Sequence, residues 1–104
     1  MISYSVFFTP KAGVEDVAAV AATRRFLETL KAGGRLRGYR ILRVTNSASF
    51  PALPRFQVIA DFASQEELDA TMAFMQEPGK VMTGPHGEMI ALVGEFKVSF
   101  AADA

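Results

Sequence analysis

RFQVIADFASQEELDATM, residues 55–72, is the stretch on which the fold turns. Its first half alternates strictly. Phe56, Val58, Ala60 and Phe62 point one way; Arg55, Gln57, Ile59 and Asp61 point the other. A period of two with one apolar side is the mark of a strand in a sheet with one well-buried face. The pattern then changes within two residues. Ser64-Gln65-Glu66-Glu67 spells a capping box, Ser-x-x-Glu, which satisfies the first free amides of a helix. The helix runs from Gln65 to Met75 or Gln76, with Leu68, Thr71, Met72 and Met75 on one stripe. Pro78-Gly79 stops it, and Lys80 to Met82 fit a further short helical turn.

The same alternation of elements extends outward. Met1 to Thr9 places Ile2, Tyr4, Val6 and Phe8 on one face and Ser3, Ser5, Phe7 and Thr9 on the other, again a strand. Pro10-Lys11-Ala12-Gly13 is a turn. Val14 to Ala32 is rich in good helix formers, carries Glu15 and Asp16 in its first turn and Lys31 in its last, and stops at Gly33-Gly34. Its expected buried stripe is Val17, Val20, Ala21, Arg24, Leu27 and Leu30 or Lys31, bordered by Phe26. Arg35 to Ser47 reads as a second strand anchored by Tyr39, Ile41, Leu42 and Val44, and Asn46 to Pro54 as a loop. Thr83-Gly84-Pro85-His86-Gly87 has strong turn chemistry and reads as a loop. The last strand is expected from Met89 to Phe100, with Ile90, Leu92, Phe96, Val98 and Phe100 on one face, before a frayed tail. The order β-α-β-β-α-β is the split βαβ, ferredoxin-like arrangement. It implies an α+β fold across residues 1–104 as one domain, with a four-stranded antiparallel sheet and two helices on one face.

Composition removes several function classes. The chain has 104 residues, no cysteine, no tryptophan and one histidine. That excludes disulfides, a thiol nucleophile, iron–sulfur clusters and cysteine zinc sites, and an all-histidine metal site within one chain. Phosphate-binding loops, dinucleotide fingerprints, zinc-protease and nucleophile-elbow motifs are absent, and neither a metal nor a cofactor is expected. No apolar run reaches the ~18–20 residues of a membrane span, and the N-terminal segment lacks a basic leader, so a cytoplasmic protein is expected. Eleven basic and eleven acidic residues cancel, but unevenly along the chain. Residues 24–43 are basic and residues 61–77 acidic. A basic strand on a ferredoxin-like frame raises the possibility of RNA recognition. That activity needs aromatic platforms on the open sheet face, and the third strand offers Gln57 and Ile59 there, so nucleic acid is the least favoured partner.

The second sheet face bears on function. If the helices cover the more apolar set, the other face carries Ser3, Ser5, Phe7, Thr9, Arg55, Gln57, Ile59, Asp61 and, from the last strand, Met89, Ala91, Val93, Glu95, Lys97 and Ser99. The second strand can be read either way. Such a mixed face suits a homodimer, with Phe7, Ile59, Ala91 and Val93 meeting their counterparts about a twofold axis. The alternative is a monomer with a half-wetted sheet.

The opening residues Met1 to Val14, an apolar strand followed by a Lys-x-Gly turn and a long helix, resemble the start of dimeric α+β-barrel proteins. These include stress-responsive A/B-barrel proteins, antibiotic-biosynthesis monooxygenases and many bacterial proteins. The resemblance spans the whole βαββαβ order. It implies a homodimer whose sheets wrap into a barrel, with a pocket in each subunit between sheet and helices. Known activities in the group include polyketide-type cyclisation and haem-degrading or cofactor-free monooxygenation. Cyclase-like members carry one histidine on the first strand, at the position of Tyr4, and another in the loop before the last strand, where this chain has His86. Tyr4 departs from that pattern, since a phenol is a poor base at neutral pH. Haem-degrading members use an Asn, a Trp and a His; this chain has no Trp and no Asn on its first strand.

The candidate site residues follow. Histidine is the side-chain type whose unperturbed pKa lies near neutrality, so His86 can serve as a general acid/base or stand as a plain loop histidine. Tyr4 can polarise a carbonyl or sit in the core bonded to backbone. Phe8 and Phe26 can line an apolar pocket or belong to ordinary core. Tyr39 is a weaker counterpart of Tyr4. Arg43 can neutralise an anionic substrate or pair with Asp61 or Glu95. The expected function is a homodimer binding a small, mostly apolar organic molecule, with cofactor-independent acid/base or monooxygenase-type chemistry as its possible activity. The alternatives are a non-enzymatic binding or assembly domain and a nucleic-acid-binding module.

Overall fold

In the computed structural model, which describes residues 1–77, 79 and 83–104, strand β1 (Ile2–Pro10) is hydrogen-bonded on both edges. The helix α1 (Asp16–Ala32), strands β2 (Gly38–Arg43) and β3 (Phe56–Phe62), helices α2 (Gln65–Met75) and α3 (Gly84–Leu92), and strand β4 (Val93–Ala102) follow in that order. The sheet order is β2-β3-β1-β4, with every neighbouring pair antiparallel. This is the ferredoxin-like βαββαβ frame with one added helix, α3, inserted before the last strand. Pro78, expected to stop the second helix, and Lys80 to Met82, expected to form a short turn, lie outside the described residues. Among those described, no helix is long and apolar enough to cross a membrane.

Register transmits the alternation of β1 across the sheet. Tyr4 lies between Ala60 and Phe100, Val6 between Val58 and Val98, and Phe8 between Phe56 and Phe96. Tyr39 and Ile41 extend these rows onto β2. All of these face the helices. The opposite face carries rows such as Arg40–Ile59–Ser5–Ser99 and Leu42–Gln57–Phe7–Lys97. The pairing settles the ambiguous second strand, which is also shorter than expected because its pairing with β3 ends at Arg43. Phe8 and Phe62 are the largest fully buried side chains, and Leu27, Leu30, Leu36, Phe56, Val58 and Leu68 pack with them.

Three expectations change. The buried stripe of α1 is Ala19, Ala22, Thr23, Leu27 and Leu30, whereas Val17 is 81% exposed and Arg24 is exposed. Small side chains let this helix approach the sheet, and Thr23 is tolerated in the core because its hydroxyl donates to the Ala19 carbonyl, 2.8 Å away. Thr83 to Gly87 is not a loop. Thr83 is the N-cap of α3, and Pro85 stands in its first turn, where a missing amide costs nothing. The last strand therefore starts at Val93 rather than Met89. Met89 and Ala91 belong to a helix, and the open sheet face loses Met89, Ala91 and Val93 as interface residues.

The ends of the helices follow local chemistry. After α1, Gly34 adopts φ 72°, its amide donates to Lys31 O, and the Arg35 amide donates to Leu30 O at 2.9 Å. This is a Schellman stop, which needs a residue without Cβ strain. Before α2, Ser64 Oγ accepts from the Glu67 amide at 3.2 Å. Glu67 reaches back to the Ala63 amide, also 3.2 Å, and forms an ion pair with Arg37 at 2.9 Å. The cap therefore also ties α2 to the approach of β2. Replacing Ser64 with Ala removes the cap acceptor and is expected to cost about 1 kcal/mol, or about 4–8 °C in Tm. Thermal unfolding followed by circular dichroism checks this; an unchanged Tm means that the cap carries no stability.

Candidate functional site

Between the helices and the sheet lies a cavity of about 280 Å³. Its floor is the helix-facing side of β1 and β3: Tyr4, Val6, Phe8, Val58, Ala60 and Phe62. Thr23, Phe26, Leu27 and Leu30 of α1 form one wall. Thr71, Met72 and Met75 of α2 and His86, Met89 and Ile90 of α3 form the others. Val93 and Phe96 line it from the start of β4. None of the described lining residues is Asp, Glu, Lys or Arg.

The few polar groups in the wall are not equivalent. The Thr23 hydroxyl is committed to Ala19 O, and the Thr71 hydroxyl donates to Arg35 O at 2.8 Å. Both hydroxyl protons are committed to backbone carbonyls. Tyr4 is half-buried, its ring stacked on Phe100 with centroids 4.9 Å apart. Burial pushes its phenol above the ordinary tyrosine value, so it remains a neutral hydrogen-bond donor at neutral pH. His86 sits in the first turn of α3, with its ring 4.9 Å from Phe26. It is half-buried, and it also lines a second pocket of about 450 Å³, which shares Phe26, Leu30 and Met75 with the first. Helix α3 packs on α1, and this contact brings Phe26 and His86 together.

The structure thus gathers Tyr4, Phe8, Phe26 and His86 around one cavity and leaves Tyr39 and Arg43 outside it. The Tyr39 hydroxyl donates to Glu28 Oε1 at 2.6 Å, tying β2 to α1. Burial, with Glu28 adding to it, pushes this phenol upward too. Arg43 pairs with Asp16 at 3.4 Å rather than with Asp61 or Glu95, and its guanidinium lies 4.8 Å from the Phe56 ring centroid. Asp61 accepts instead from the Ser3 hydroxyl at 2.8 Å. Arg55 joins the same carboxylate of Asp16, at 2.8 Å. One acid in the first turn of α1 therefore holds two arginines, one at each of the facing ends of β2 and β3.

Met89, Ile90 and Val93 line the cavity, whereas the strand reading puts Met89 and Val93 on the open face and Ile90 alone on the covered one. Their spacing from His86, at three, four and seven residues, is that of a helix face. Together with Thr83 before Gly84-Pro85, this spacing was the available signal.

A layer of helices on a four-stranded antiparallel sheet in this βαββαβ order is the ferredoxin-like α+β fold. Within that class the chain belongs to a family of unknown function, DUF6614, whose pattern matches residues 1–101. No curated protein matches the chain in sequence. Solved structures share its fold. A dimeric ferredoxin-like protein of unknown function from Jannaschia sp. CCS1 matches with TM-score 0.71 at 14% identity, over 98% of this chain and 98% of that one. A dabb family protein with a ferredoxin-like fold from Mesorhizobium loti matches with TM-score 0.68 at 16% identity, over 99% and 96%. The hydroxynitrile lyase of Passiflora edulis matches with TM-score 0.69 at 10% identity, over 96% and 90%.

The Asp16 cluster predicts a pH effect. The hydrogen bond from Arg55, with Arg43 adding to it, holds the Asp16 carboxyl below the ordinary aspartate value. A group whose pKa falls on folding stabilises the native state above its unfolded pKa, and the benefit is lost as pH drops through the folded value. Wild type is therefore expected to lose stability faster than Asp16→Asn as pH falls from about 5 to 2. Urea unfolding across that range measures it; parallel curves would remove Asp16 from the acid response.

Proposed function

We propose that this chain acts as a homodimer and binds a small, neutral, largely apolar organic molecule in the cavity between sheet and helices. The observation that carries the proposal is the lining: about 280 Å³ bordered by aromatic, aliphatic and methionine side chains, with no Asp, Glu, Lys or Arg among the described lining residues. Such a space favours transfer of apolar surface from water and disfavours an ion. Its polar groups are few, as in sites that orient a ligand through one or two contacts. Tyr4 supplies a neutral phenol that donates to a carbonyl or hydroxyl oxygen. His86 supplies an imidazole that can accept or donate a proton. A ligand carrying one carbonyl on an apolar body satisfies both.

The same pair supports chemistry without a cofactor. Polarisation of a carbonyl by the Tyr4 phenol makes a neighbouring C–H more acidic, and the imidazole of His86, on the same cavity wall, takes that proton. The proton returns from the imidazolium to complete the turnover. The Passiflora edulis lyase shows that a chain of this fold can be an enzyme. The dimer is supported by the Jannaschia structure and by the mixed open sheet face, where Phe7, Leu42 and Ile59 lie among Arg40, Gln57 and Lys97.

Prodan, a neutral naphthyl ketone whose emission reports polarity, tests the binding. Wild type is expected to bind it saturably with a blue shift. Ala60→Leu adds a branched side chain to the middle of the cavity floor and is expected to abolish binding while the circular dichroism spectrum stays native. Tyr4→Phe removes one hydrogen bond, worth ~0.5–1.5 kcal/mol, and is expected to weaken binding about 3- to 10-fold. Failure of wild type to bind, or equal binding by Ala60→Leu, sinks the proposal. For the chemistry, deuterium uptake next to the carbonyl of a bound ketone is expected with wild type and lost with His86→Gln.

A further inference from the structure

Two chambers meet at His86. The cavity of about 280 Å³ and the second pocket of about 450 Å³ share Phe26, Leu30, Met75 and His86. These side chains come from converging helices. Phe26 and Leu30 lie one turn apart on α1, Met75 is the last residue of α2, and His86 stands in the first turn of α3. Tyr4 lines the inner chamber and not the outer one. Beyond the junction the outer chamber continues along Phe74, Thr29, Thr83 and Pro85. No Asp, Glu, Lys or Arg is among its described lining residues. The Thr29 hydroxyl donates to Arg25 O at 2.9 Å, and the Thr83 hydroxyl donates to Gly79 O. Such a wall offers water few partners and offers an apolar group a favourable contact.

The geometry points to one continuous two-chamber site. Its ligand is an elongated ketone with an apolar arm on each side of the carbonyl. The first arm is held in the inner chamber, and the second passes Phe26 and His86 into the outer one. This inference rests on the binding proposal above and deepens it, by giving the ligand a length and a direction. A carbonyl oxygen bonded to the Tyr4 hydroxyl lies in the inner chamber, whereas a C–H beside His86 lies at the junction. The carbon that gives up its proton therefore stands within the molecule rather than at its end, and the chain it bears leads outward. The junction can let that chain pass. Phe26 and Met75 are only half-buried, and a methionine side chain is unbranched and adaptable. Thr29, Thr83 and Gly84 on the outer wall are exposed, so this chamber opens to solvent and gives the ligand its way in.

Prodan and its hexanoyl homologue, whose acyl chain is longer by three methylenes, test the second chamber. Each buried methylene is worth about fourfold in affinity, so wild type is expected to bind the hexanoyl ketone at least about tenfold more tightly than prodan. Thr29→Trp puts an indole into the outer chamber from an exposed position on α1. It is expected to erase the preference while prodan binds within about twofold of wild type. Thr83→Leu narrows the same chamber from the α3 side and is expected to reduce the preference, so a failure of Thr29→Trp to fold does not remove the test. The inference is overturned if wild type binds the two ketones equally or prefers prodan, or if the preference survives in the folded variants. Saturable prodan binding without a preference refutes the second chamber and leaves the binding proposal standing. Binding of neither ketone refutes both.

Discussion

The register of the sheet is set by its two central strands, β1 and β3, each hydrogen-bonded along both edges. Antiparallel ladders on each side transmit the two-residue period of β1 to β3 and β4, and β3 passes it to β2. A slip of one residue in the β1–β3 ladder would turn Phe56, Val58 and Phe62 toward the open face and bring Arg55, Gln57 and Asp61 under the helices. The energetic penalty for burying those polar groups makes the register unique. This pairing puts the Tyr4 hydroxyl on the helix side of the sheet, beside the cavity rather than in the open face.

Given that register, the helices have too little width for the sheet. Helices α1 and α2 cover the rows over β1, β2 and β3, and α3 closes one end by packing on α1. The small residues of α1, Ala19, Ala22 and Thr23, allow close approach at its N-terminal half. Leu27 and Leu30 hold the other half against the core, and there the space between layers is left as a cavity. The same shortfall of cover leaves Phe96, Val98 and Phe100 in solvent. Cavity and bare strip are two results of one geometry: two longer helices and a short one over four strands.

Charge is organised around the frame rather than within it. Asp16 joins α1 to the adjoining ends of β2 and β3 through Arg43 and Arg55, Glu67 joins α2 to Arg37, and Glu28 takes the Tyr39 hydroxyl. The basic run of residues 24–43 is thus partly spent on local contacts, including Arg35, whose guanidinium sits 3.6 Å from the Phe74 ring centroid. These groups are largely exposed, so each contributes modestly, yet together they draw the polar residues away from the cavity.

Much of this was legible in the chain. The strict alternation of residues 1–9 and 56–62, the Ser64 capping box and the Gly33-Gly34 stop are local signals, because a strand's period, a cap and a left-handed turn are imposed by neighbouring residues alone. They determined the βαββαβ order and the helix-facing side of β1 and β3; Tyr4 and His86 became candidates through the chemistry of phenol and imidazole and through the resemblance, Phe8 and Phe26 through their apolar bulk. Other features depend on residues distant in sequence, and only the tertiary structure decided them. Val17 looks like core by hydrophobicity, but α1 turns Ala19 and Thr23 inward because the sheet lies close. Residues 83–87 read as a loop and 89–92 as the start of a strand, yet the structure makes 84–92 a helix packed on α1, which carries Met89 and Ile90 into the cavity. Arg43 could pair with several acids until the fold placed Asp16 beside it. Phe96, Val98 and Phe100 read as core from their period, yet burial requires something to lie against, and the helices do not extend over them.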